Sequence, residues 1–142
     1  MKIITGGAGF IGSAICWRLN TMGINDIIIV DESRDGFKEM NLAGLKFISY
    51  IDKADFLKRI KDGSFPSGTD TLYHMGACSS TTETNMDYLK ENNVEYSKTL
   101  ANQRKKSGFM KLKMMAFPKA PNATHYQIKT IFQTYSQNGQ QN

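Results

Sequence analysis

Apolar residues in this chain come in short bursts separated by stretches with helical spacing. Ile3-Ile4 is the first burst, and from Phe10 onward apolar side chains recur at intervals of three and four until Gly23. Ile27-Ile28-Ile29-Val30, framed by Asp26 and Asp31, is a β-branched run with the composition of a buried strand. The pattern predicts strands over residues 2–5, 26–31, 45–50 and 69–74. It predicts helices over 10–22, 37–44, 53–61 (with Asp52 as cap) and 85–103. Strand and helix alternate throughout, which predicts an α/β fold: a Rossmann-type doubly wound parallel sheet with helices on both faces. Residues 109–117 could enter a fifth strand slot, but Lys111 and Lys113 suit a central parallel strand badly. The sheet is therefore expected to be truncated after about four strands.

The turn between the first strand and first helix reads Thr5-Gly6-Gly7-Ala8-Gly9-Phe10-Ile11-Gly12. In a dinucleotide site each glycine has its own reason. Gly6 lets the chain leave the strand sharply, Gly9 lets a pyrophosphate approach the backbone, and Gly12 lets the helix sit close on the sheet. The helix N-terminus then offers N–H groups and the positive end of its dipole to phosphate. Asp31 closes the second strand near the roughly 20-residue offset expected of a ribose-binding carboxylate. Glu32 stands beside it. Two adjacent carboxylates favour a free 2′-hydroxyl over a 2′-phosphate, while Arg34 and Lys38 could pair that phosphate.

Charge changes the picture mainly through its distribution. The net charge is +5, yet the 13 acidic residues all precede Gln103, against 11 basic ones there. Residues 104–142 hold 7 basic residues and no acid. Two domains are therefore expected: 1–103 as the NAD(P)-binding part and 104–142 as a basic tail of unrelated or rearranged sequence. No apolar run approaches the roughly 18 residues of a membrane span, and no signal-peptide pattern is visible. Cys16 and Cys78 form no disulfide framework and suggest a reducing cytoplasm. With only His74 and His125 besides, no metal site is expected.

The glycine turn is the signature of extended short-chain dehydrogenase/reductase proteins. His74-Met75-Gly76-Ala77-Cys78-Ser79-Ser80-Thr81-Thr82-Glu83 and Glu91-Asn92-Asn93-Val94-Glu95-Tyr96-Ser97-Lys98 are more particular. With Asp31, Lys38 and Asp52-Lys53-Ala54-Asp55-Phe56-Leu57, they resemble the ADP-L-glycero-D-manno-heptose 6-epimerase family over residues 1–103. The resemblance implies an NADP-dependent isomerase that inverts one centre of a nucleotide-linked heptose destined for lipopolysaccharide. It also implies homo-oligomers. Carried over residue by residue, it places Phe10 and Ile11 at the phosphates and Asp31 with Glu32 at the adenosine ribose. Lys38, Lys53, Met75, Gly76, Ala77, Cys78, Ser79 and Asn92 fall along the cofactor. Glu32 stands where asparagine is usual, so NAD stays open beside NADP.

That family's chemistry also needs a Tyr-x-x-x-Lys, whose tyrosine serves as base. Four places after Tyr50, Tyr73, Tyr88, Tyr96, Tyr126 and Tyr135 stand Ala54, Ala77, Asn92, Leu100, Thr130 and Gly139. No catalytic residue is therefore assigned, and ADP-heptose would be a substrate only if the site were completed elsewhere. Two other readings stand beside an incomplete epimerase. One is a nucleotide-binding module without catalysis. The other is a tail that contacts nucleic acid or an anionic surface through basic residues interleaved with Phe109, Phe117, Tyr126, Phe132 and Tyr135. A solvated extension is preferred for the tail because of its Gln/Asn-rich end. Ile128, Ile131, Phe132 and Tyr135 also share one helical face.

Overall fold

A computed structural model of the chain describes residues 1–32, 36–78, 82–107 and 110–114. Five parallel strands form one sheet in the order β3-β2-β1-β4-β5. They are β1 (Lys2–Thr5), β2 (Ile27–Asp31), β3 (Ser49–Asp52), β4 (Thr71–His74) and β5 (Lys111–Met114). The chain lays β2 and β3 on one side of β1, then returns to place β4 and β5 on the other. The crevice between the C-terminal ends of β1 and β4 is thus the point where the winding reverses, the usual ligand position in such sheets.

β2 anchors the sheet because all five of its residues are buried. Its side chains alternate between two cores, as the two-residue period of a strand requires. Ile28 and Val30 join Ile3 and Leu72 on one face, covered by Phe56 and Ile60 of α3 (Lys53–Lys61) and by Tyr96 and Leu100 of α5 (Tyr96–Ser107). Ile27 and Ile29 join Ile4 on the other, covered by Cys16 and Leu19 of α1 (Phe10–Thr21) and Leu42 of α2 (Gly36–Leu42). Each such aliphatic side chain contributes roughly 1.5–3 kcal/mol on burial.

Local chemistry fixes several boundaries. Asp52 caps α3, its Oδ1 accepting from the Ala54 N–H at 2.7 Å. Gly23 takes φ +78 just beyond α1, a conformation glycine adopts without steric cost. β3 begins four residues later than the sequence pattern predicts. Both backbone groups of Lys46 are taken by the Asn20 side chain, with the N–H donating at 2.8 Å and the carbonyl accepting at 2.9 Å. With its N–H committed to Asn20, Lys46 does not donate to β2; the first backbone bond to that strand runs from the Ile48 N–H to the Ile27 carbonyl at 2.8 Å, and pairing begins with Ser49 opposite Ile28.

Two expectations need correction. The helix expected over 85–103 is not uniform. It starts as α4 (Met86–Leu89), capped by Asn85, widens into a π-helical turn at Lys90–Glu95 and continues as α5. The sheet does not stop at four strands either: β5 pairs with β4, Leu72 opposite Leu112. Its lysines are tolerated because β5 is the outermost described strand. Leu112 packs on the core, while Lys111 and Lys113 point to the exposed side. The Lys113 ammonium lies 5.3 Å from the Tyr73 ring centre, its stem covering apolar surface. Gln103 lies within α5. Beyond Met114, the aromatic positions of the tail and its candidate helical face lie outside the described residues. Among the described residues, no helix is long and apolar enough to cross a membrane.

Candidate functional site

A cleft of about 320 Å³ opens at the reversal point between β1 and β4. Gly6, Gly9, Phe10, Ile11, Gly12, Asp31, Glu32, Lys38, Lys53, Met75, Gly76, Ala77, Cys78 and Asn92 all line it. Ser79 and Arg34 lie outside the described residues. The structure therefore gathers these residues, up to 86 positions apart in the chain, from the ends of three strands, the start of three helices and the π-helical turn that carries Asn92, into one concavity.

The glycines make its wall. Gly6 has φ +67, and a Cβ there would stand 2.6 Å from the Gly76 nitrogen, so the β1 and β4 turns touch backbone to backbone. A Cβ on Gly12 would stand 2.1 Å from the Gly6 carbonyl oxygen. Gly9 differs: a Cβ there would meet only the Gly6 oxygen, at 3.3 Å, so its open side faces the cleft. Gly9 is also the N-cap of α1, without a side-chain cap and without an acid in the first turn. The helix thus presents uncapped first-turn N–H groups to the cleft, a fit for an anion.

On the β2 side, Asp31 is heavily engaged. Its Oδ2 accepts from the Ala8 N–H at 2.9 Å, and its Oδ1 accepts from the Glu32 N–H and the Lys38 ammonium, both at 2.8 Å. Counting lone pairs, room remains at Oδ2 for one further donor. Glu32 turns its carboxylate to the Lys53 ammonium at 3.0 Å. Lys53 also bonds the Asn92 side-chain oxygen and lies 5.4 Å from the Tyr96 ring centre. Two cations and two carboxylates are thereby interleaved at one end of the cleft.

Sequence reasoning left out four residues that shape this cleft. Val30, Tyr88 and Tyr96 line it, and Asn93 holds its rim. The Asn93 amide clamps Cys78 with two bonds: the Cys78 N–H donates to Oδ1 at 2.7 Å, and Nδ2 donates to the Cys78 carbonyl at 3.0 Å. One signal was available, since Tyr96 follows Asn92 by four residues and so falls on its helical face. The Tyr96 hydroxyl is buried near that of Thr5 without a hydrogen bond of normal geometry, and burial pushes its pKa up.

Beneath the cleft His74 is 2% exposed, and burial, with Lys53 nearby, lowers its pKa from 6.5 to about 4. A depressed histidine pKa stabilises the fold above the unfolded-state value. That stability is lost as pH falls through the folded value, because the unfolded chain takes up the proton first. Lowering pH from 6.5 to 4 should therefore cost up to about 3 kcal/mol through this group. Urea melts across that range check it: His74→Gln should show a shallower pH slope than the natural chain.

The chain resembles known proteins in the way this geometry suggests. Residues 2–115 match the model of the NAD dependent epimerase/dehydratase family. The ADP-L-glycero-D-manno-heptose-6-epimerase of Nitratidesulfovibrio vulgaris (strain DP4) is 47% identical over 100 residues, covering 70% of this chain and 31% of that protein. This chain thus spans about a third of the length of that curated relative. The crystal structure of Helicobacter pylori ADP-L-glycero-D-manno-heptose-6-epimerase superposes with a TM-score of 0.65 at 27% identity, covering 87% of this chain and 42% of that one. Bordetella bronchiseptica WbmG, in complex with NAD and UDP, gives a TM-score of 0.61 at 25% identity, covering 80% and 36%.

Proposed function

The chain belongs to the NAD dependent epimerase/dehydratase family, and from that premise we propose that it is the dinucleotide-binding portion of an ADP-heptose 6-epimerase, with NADP as its cofactor. The observation that carries the cofactor reading is the Lys38 ammonium seated 2.8 Å from Asp31 Oδ1. An acid at the end of β2 suits ribose hydroxyls. A cation already resting on that acid suits a phosphate attached to the same ribose. Glu32, which would repel that phosphate, is turned toward Lys53. The uncapped start of α1 and the open side of Gly9 fit a pyrophosphate.

In this reading Phe10, Ile11 and Gly12 offer backbone N–H groups to the phosphates, and Asp31 with Lys38 holds the adenosine ribose. Lys53, Asn92 and the Met75–Cys78 segment bound the rest, with Ser79 proposed beside them. The nicotinamide, when bound, supplies the redox chemistry of epimerisation. None of the tyrosines of this chain has a lysine four positions on, so no residue here is proposed as the proton acceptor. The heptose assignment rests on the Nitratidesulfovibrio relative, which is 47% identical over 100 residues. A dinucleotide-binding module without turnover is the reading favoured if no epimerisation is found.

Calorimetry of the full chain with NADP⁺ and NAD⁺ tests the cofactor reading: both should saturate one site, NADP⁺ more tightly. Replacing Glu32 with asparagine removes a negative charge near the 2′ position and releases Lys53 from its ion pair, while its bond to Asn92 stays. Because Glu32 is 54% exposed, the gain in NADP⁺ preference is expected to be about tenfold at most. An unchanged NADP⁺/NAD⁺ ratio would place the 2′ group elsewhere. Incubation with ADP-heptose and NADP⁺, followed by NMR of the heptose, tests turnover.

A further inference from the structure

His74 is not among the residues lining the cleft, yet both of its ring nitrogens are engaged. Nδ1 lies 2.6 Å from the Thr5 hydroxyl and Nε2 lies 3.0 Å from the Ser97 hydroxyl. Which nitrogen carries the proton follows from the next link. The Ser97 hydroxyl lies 2.6 Å from the Asn93 carbonyl oxygen, an atom that can only accept. Its single proton is therefore committed to Asn93, and toward His74 the serine oxygen must accept. Nε2 is the protonated nitrogen, and Nδ1 accepts from Thr5. A ring this deeply buried is neutral at pH 7, which is what a one-proton assignment requires.

The chain of bonds leads to the cleft. Asn93 sits in the π-helical turn, a departure from α geometry often found where a helix serves a site. Its side chain clamps the Cys78 backbone and accepts from the Asn92 amide at 3.1 Å. Asn92 in turn donates to the Gly76 carbonyl at 3.4 Å and accepts from Lys53. Cys78, Gly76, Asn92 and Lys53 are all cleft residues. The Ser97 hydroxyl thus joins the end of β4 to the turn that carries Asn92 and Asn93, and His74 is the group that orients it.

The geometry points to His74 as a positioning residue: a neutral ring protonated on Nε2 that, through Ser97 and Asn93, holds the Gly76–Cys78 rim and Asn92 in place for the dinucleotide. The effect on ligand rests on the reading that the cleft binds NADP⁺, whereas the tautomer and the rim geometry do not.

The experiment uses the full chain. Long-range ¹⁵N–¹H NMR of His74, assigned by its loss in His74→Gln, should show a protonated Nε2 and an unprotonated Nδ1 at pH 7. The opposite tautomer overturns the proposal. A glutamine amide can donate to Ser97 from about the position of Nε2; a leucine of similar bulk cannot. His74→Gln should keep the Cys78 amide resonance and the Kd for NADP⁺ near those of the natural chain. His74→Leu, measured well below its melting temperature, should move that resonance and weaken NADP⁺ about tenfold. Ser97→Ala should do the same, and serves if the leucine variant does not fold. A folded His74→Leu or Ser97→Ala protein with an unmoved Cys78 amide and unchanged Kd would reduce His74 to packing. A natural chain that binds neither NADP⁺ nor NAD⁺ would sink the dinucleotide reading, while tautomer and Cys78 resonance still decide the positioning role.

Discussion

Gly12→Ala is expected to cost this chain a large share of its stability and not merely its ligand. The added methyl carbon would stand 2.1 Å from the Gly6 carbonyl oxygen and 2.6 Å from the Gly7 Cα. Both obstacles are backbone, so no side chain can turn aside. Relief requires α1 to lift from the turn, and Cys16 and Leu19 would leave the core with it. Overpacking usually costs about 1–3 kcal/mol and more where backbone must move. A loss at or above about 3 kcal/mol is a large share of the roughly 5–15 kcal/mol that holds an ordinary domain together. Urea titration followed by far-ultraviolet circular dichroism checks it. A midpoint within error of the natural chain would show that the turn yields more easily than its geometry says.

Gly9→Val should do the reverse: lose the ligand and keep the fold. Gly9 has φ −73 and ψ 169, extended values that any residue adopts. A Cβ there meets one atom, the Gly6 oxygen, at 3.3 Å, and the branched methyls beyond it enter the cleft where a pyrophosphate would approach. Valine is a poor N-cap, so about 1 kcal/mol of stability should go. Affinity for NADP⁺ should fall at least about a hundredfold, because phosphate can no longer reach the N–H groups of α1. Calorimetry and a thermal melt on the same preparation separate the two effects. Unchanged affinity would remove the phosphates from this turn. Three residues apart in one motif, Gly9 and Gly12 therefore answer to different constraints.

Much of this was legible in the sequence because the signals were local and redundant. Gly6, Gly9 and Gly12 stand between a short apolar strand and a stretch with apolar residues at helical spacing, and Asp31 closes the next strand. Those features suffice to order β1, α1 and β2, whereas Lys38, Lys53, residues 75–78 and Asn92 were brought to the cleft by the family resemblance and not by spacing. What the sequence hid was non-local. The late start of β3 depends on Asn20 reaching Lys46 across 26 residues, which no window over 45–50 contains. The tolerance of Lys111 and Lys113 depends on β5 lying at the outside of the described sheet, a matter of strand order and not of composition. Asn93 and His74 were hidden because their places around the cleft depend on contacts with Cys78, Thr5 and Ser97, which no local pattern contains.

The widened turn at Lys90–Glu95 sets where this helix can change length. A π turn holds one residue more than α-helical bonding would use, and each residue there advances less than the roughly 100° of an α-helix. The extra residue is therefore absorbed where it stands. Deleting a single position in the turn would restore regular bonding and leave Tyr96 and Leu100 on the face that meets Leu72 and Ile3. A deletion between Tyr96 and Leu100 has no such slack. It would swing every later residue by about 100° and turn Leu100 out of the core. The same helix can thus lose a residue before Tyr96 and keep its buried face, and cannot lose one after it.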